Sequence, residues 1–130
     1  MGAERVITAE LAPSVAEAFD VLAWEIELAG ARCIQLDAII GELMPAIPTD
    51  QRQRLVEGLH TVDLLAQHLT GLSAFARRLS EDAPRDRAMP VSRALAEVTL
   101  GALADRMFTA LGGEEAAVVE LCEAGDVDLF

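Results

Sequence analysis

The apolar positions of this chain fall into two long ladders, and both have the period of a helix that packs on another helix. The first runs Val15, Phe19, Leu22, Ile26, Ala29, Cys33, Leu36, Ile40, Leu43, in alternating steps of four and three. A repeat of about 3.5 residues over four heptads predicts a left-handed supercoil, in a helix roughly 45 Å long. Ser14 with Glu17 has the form of a capping box at its start, just after Pro13. Pro45 and Pro48 end it, because two prolines so close cannot continue a helix. Asp50 with Gln53 offers the next start. The second ladder then reads Leu55, Leu59, Val62, Ala66, Leu69, Ser73, Ala76. A short connection between two such helices makes them antiparallel neighbours.

Glu81 to Pro90 is polar and bounded by proline, and reads as a linker. A third helix is expected over about Val91 to Leu111, with Leu95, Val98, Leu100, Leu103, Met107, Phe108 and Leu111 spread over more than one face. Such a helix is expected to be buried between neighbours. Gly112-Gly113 stops it. Glu114 to Glu123 offers a weak fourth helix, and strand signals are missing. The expected fold is all-α: a long antiparallel hairpin plus a third helix. Residues 1–112 form the expected single domain and 113–130 a tail. So much seam on three helices points to a homodimer whose two hairpins make a four-helix bundle.

Composition narrows the partners. The net charge is −12, which argues against nucleic acid or an anionic membrane. All ten basic residues are arginine, as in proteins of GC-rich bacteria. From Glu114 onward there are six acids and no base, ending in Asp126-Val127-Asp128-Leu129-Phe130. Although 52% of residues are apolar, charges interrupt every stretch long enough to span a bilayer, and the first residues lack the pattern of a secretory signal. A cytoplasmic location is expected. Cys33 and Cys122 are too few for a disulfide scaffold and lack metal-ligand spacing, so no metal or other cofactor is expected on this chain.

The outward side of the second helix carries the candidate chemistry. With Val62 at the centre of the buried stripe, Asp63 lies about 100° and Gln67 about 140° around the helix. Ala74, His60, Arg78 and Gly71 fall on the same outer sector. An acid and an amide one turn apart, beside small residues, form a surface that another protein can approach closely.

Asp63-Leu64-Leu65-Ala66-Gln67 has the Asp-x-x-x-Gln form of the CheZ-type chemotaxis phosphatases and the smaller CheZ-like proteins called CheT, and the chain resembles that family. The resemblance covers roughly residues 14 to 80 plus the last five. It implies a hairpin that dimerises into a four-helix bundle, with Asp63 and Gln67 as the catalytic pair. It also implies a CheY-like response regulator as partner, which brings its own phosphoaspartate, Mg²⁺ and lysine. Gln67 would orient a water for in-line attack on the acyl phosphate, and Asp63 would pair with the regulator's lysine. His60, Gly71, Ala74 and Arg78 would border the docked partner. The acidic, apolar ending with Asp126, Asp128, Leu129 and Phe130 would tether it. CheZ hairpins are much longer than this one.

Two other readings stay open. Gln67-His68-Leu69-Thr70-Gly71-Leu72-Ser73 resembles the His-x-x-Lys-Gly segment of histidine phosphotransfer domains. Gln67 stands where the phosphorylated histidine belongs and Thr70 where the lysine belongs. An amide cannot accept a phosphoryl group, so that reading is an inactive module that docks regulators without chemistry. The ending Val127-Asp128-Leu129-Phe130 also resembles peptides that bind the bacterial DNA sliding clamp, which would make the chain an adaptor. His68 lies on the shoulder of the stripe, where partial burial or a dimer contact is expected. Trp24, Phe19, Phe75 and Phe108 are expected in a core or an interface.

Overall fold

A computed structural model describes residues 11–113 of the chain. Helix α1 spans Val15–Leu43, a single 3-10 turn spans Met44–Ala46, and helix α2 spans Thr49–Asp82. Two short helices follow, α3 at Ser92–Leu95 and α4 at Gly101–Ala110. No strand occurs among the described residues, and the fold is all-α, with α1 and α2 packed together as a hairpin. The tail ending in Asp126, Asp128, Leu129 and Phe130, the fourth-helix segment and Cys122 lie outside the described residues.

The helix ends follow their local chemistry. Ser14 and Glu17 close a complete capping box. The Ser14 N–H donates to Glu17 Oε1 at 2.9 Å, and the Glu17 N–H donates to Ser14 Oγ at 3.1 Å. Pro45 enters the 3-10 turn, and α2 restarts at Thr49, one residue before the expected Asp50. Arg52 braces this connection by donating to the carbonyls of Ile47 (3.0 Å) and Pro45 (3.3 Å).

The described residues form two compact units. One comprises residues up to Val21 together with those from Leu79 onward. Its core is Leu11, Val91 and Leu111, covered by Ala18, Val21, Met89, Leu95, Met107 and Phe108. The linker serves the start of α1: Val15 N–H donates to Arg87 O at 3.1 Å, and Ala16 N–H to Pro84 O at 3.4 Å. These amides have no partner within their own helix, so the linker supplies one. The buried Ser80 hydroxyl donates to Ala16 O at 2.9 Å, tying the last turn of α2 to the first turn of α1.

The third helix departs from expectation. Instead of one element from Val91 to Leu111 there are two, separated at Ala96–Leu100. Val98 and Thr99 are β-branched and disfavour helix, Leu100 is extended, and Gly101 restarts the chain. Most of α4 is half-buried rather than buried. Its end is a Schellman motif. Gly112 N–H donates to Thr109 O (3.1 Å) and Gly113 N–H to Phe108 O (2.8 Å), with Gly112 at φ 108°.

The second unit, Leu22–Arg78, is the body of the hairpin. On α2 every position of the expected ladder, Leu55, Leu59, Val62, Ala66, Leu69, Ser73 and Ala76, is buried or half-buried, and within this unit Arg77 joins them as a half-buried side chain. On α1 the seam is displaced. Ile26, Cys33 and Ile40 are half-buried, but Leu22, Ala29, Leu36 and Leu43 are exposed, and Ala23 and Gly30 are buried in their place. A Cβ added to Gly30 would stand 3.5 Å from that of Leu69. Gly30 lets α2 come close enough for Leu69 to pack on its backbone, and Leu22, Leu36 and Leu43 are left exposed. Trp24 and Phe75, expected in a core or an interface, are 58% and 64% exposed in the chain. His68, expected to be partly buried or a dimer contact, is exposed within the chain.

Candidate functional site

Labelling the seam of each helix as heptads puts Ala23, Gly30, Leu59, Ala66 and Ser73 at a, and Ile26, Cys33, Val62, Leu69 and Ala76 at d. In an antiparallel pair the two e positions share one flank and the two g positions the other. The ion pair between Glu27 and Arg77, at 3.1 Å, joins two e positions and fixes this register. The e flank carries Glu27, Asp63, Thr70 and Arg77, with Ile34 and Val56 exposed among them. Gln67 occupies the adjoining b position.

Asp63 and Gln67 are both exposed. Gln67 Nε2 donates to Asp63 Oδ2 at 3.2 Å, one turn apart along α2. With the amide nitrogen engaged, Oε1 of Gln67 remains as a hydrogen-bond acceptor for water or a visiting donor. His60, Gly71, Ala74 and Arg78 are exposed on the same sector. A Cβ at Gly71 would meet nothing within 4 Å, so packing does not require glycine there; its lack of side chain simply lowers the surface. Ala74 extends this low ground. The structure thus brings together Asp63, Gln67, His60, Gly71, Ala74 and Arg78, all on one helix.

Sequence reasoning did not single out Ile34. It occupies an e position of α1 and is exposed, which places an apolar side chain on the flank that carries Asp63. It stands off the apolar ladder of α1, but only the pairing of the two helices shows that it shares a flank with Asp63. Among the described residues there is no cluster of three metal-ligating side chains. A depression of about 450 Å³ lined by Ile47, Gln51, Arg54 and Leu55 lies at the hairpin turn, about two helical turns from Asp63.

The fold defines an all-α helical hairpin protein with an acid–amide pair exposed on its second long helix. A family model described as Domain of unknown function (DUF8776) matches residues 12–130, and the chain belongs to that family. No curated protein and no solved structure matches it.

Proposed function

We propose that this protein is a phosphatase for a CheY-like response regulator. The observation that carries the reading is the exposed Gln67 amide, held by Asp63 on a helix that its partner helix stiffens. The regulator's aspartyl phosphate and metal lie in a pocket of its own, so the protein needs to supply only positioning. Gln67 enters that pocket with Oε1 accepting a hydrogen bond from water, which aims a lone pair at phosphorus. The water oxygen–phosphorus bond forms as the bond to the aspartate oxygen breaks. The aspartate leaves as carboxylate, and the water's proton departs with inorganic phosphate or to solvent. Low ground at Gly71 and Ala74 admits the regulator's surface, and the acidic ending at Asp126, Asp128, Leu129 and Phe130 tethers it.

The test is the decay of a receiver domain charged with acetyl phosphate, followed with and without the protein. Wild type should accelerate decay, and Gln67→Ala should give none of that acceleration while binding is retained. Full activity in Gln67→Ala would remove the mechanism. Binding by wild type with no faster decay would instead favour the inactive docking module.

A further inference from the structure

The segment that joins α2 to α3 runs against the charge of the rest of the chain. Acids outnumber bases by 22 to 10 overall, yet residues 83–93 carry Arg85, Arg87 and Arg93 against the single acid Asp86. All three arginines are exposed, and none makes an ion pair with a described residue. Their backbone is pinned. The carbonyls of Pro84 and Arg87 accept from the first amides of α1, and the Met89 N–H donates to Pro13 O at 2.8 Å. Pro84 and Pro90 restrict the chain further. The segment thus presents three unpaired cations on a backbone that loses little freedom when they are bound.

We propose that this arginine segment is the docking surface of the chain's own acidic end, residues 114–130. That end carries six acids and no base, the complement of Arg85, Arg87 and Arg93. It also begins in the right place. Leu111 and Val91 share one small core with Leu11, Gly113 follows two residues after Leu111, and Arg93 follows two residues after Val91. All of these residues belong to the same compact unit. At about 3.4 Å per residue, Arg85 lies at most about 20 Å from Val91, whereas residues 114–130 span roughly 55 Å when extended. The end therefore reaches every arginine of the segment with length to spare. Each exposed ion pair is weak by itself, but a tethered end meets the arginines at an effective concentration in the millimolar range. Surface charges are screened beyond about 10 Å at 0.1 M salt, so salt releases the contact. An end held in this way meets a partner only after leaving the arginines, which makes the contact a brake on whatever the end binds. It needs no response regulator, and it stands or falls independently of phosphatase activity.

Paramagnetic relaxation on the full chain tests it, with a nitroxide on Cys122 and Cys33→Ala removing the other thiol. The backbone amide signals of residues 85–93 should be broadened at about 20 mM salt and recover at about 1 M. Arg85→Gln, Arg87→Gln and Arg93→Gln together should abolish the broadening at Asp86 and Ala88, whereas Arg54→Gln, at the hairpin turn, should leave it unchanged. Signals at low salt as sharp as those of the reduced label overturn the proposal. So does broadening that survives the triple substitution. Broadening of equal strength with nitroxide and isotope on separate chains also overturns it, because the contact then lies between copies.

Discussion

Gln67 and Asp63 act on one another before any partner arrives. Their hydrogen bond lies on the surface, where it adds little to stability, so its effect is to limit how the amide can point. On the proposed mechanism, Asp63→Ala frees the amide without removing it. Acceleration of regulator dephosphorylation should then fall about ten- to a hundredfold, the scale of a misplaced group, rather than vanish as with Gln67→Ala. Single-turnover decay rates separate the two variants. Gly30 is a residue of the opposite kind, buried and chemically silent. An alanine Cβ there would make ordinary contact with Leu69. Gly30→Ala should therefore stabilise the protein by up to about 1 kcal/mol through helix propensity. Gly30→Leu should instead cost about 1–3 kcal/mol by forcing the helices apart. Urea titrations give both signs.

At the scale of elements, the helices end where their termini find hydrogen-bond partners. The start of α1 is held twice, by its own capping box and by linker carbonyls of Pro84 and Arg87. The end of α4 depends on two glycines for different reasons. Gly112 has a positive φ, so Gly112→Ala should cost about 1 kcal/mol. At Gly113 the obstacle is steric, since an added Cβ would collide with the Phe108 ring. Gly113→Ala should be the worse of the two in a denaturant midpoint measurement. The split between α3 and α4 comes from backbone preference and not from hydrophobic pattern. Its leucines and valines give a strong hydrophobic signal, but β-branched Val98 and Thr99 with Gly101 weaken the backbone at one place.

Among the described residues few large side chains are buried. A homodimer of the kind expected from the sequence would cover exposed leucines such as Leu36, and linkage would then make the melting temperature depend on concentration. A hundredfold increase in protein concentration should raise the wild-type melting temperature measurably and leave that of Leu36→Glu unchanged. Scanning calorimetry over that range reads this directly.

The local chemistry was legible along the chain. Heptad steps gave two helices of the right extent, Ser14 and Glu17 gave the cap, Pro45 and Pro48 the turn, and Gly112-Gly113 the stop. The α2 ladder, running through Ala66 and Ser73, also placed Asp63 and Gln67 outside. These features depend on residues within a turn or two of each other, so periodicity and backbone sterics suffice to read them. Which edge of α1 turns inward did not follow. Counting hydrophobicity favours Leu22, Leu36 and Leu43 over Ala23 and Gly30, whereas close packing favours the small residues. That choice belongs to the pair of helices, because the separation of two backbones is set by what both present at the point of contact. Only the tertiary structure could decide it, and with it which residues line each flank of the hairpin.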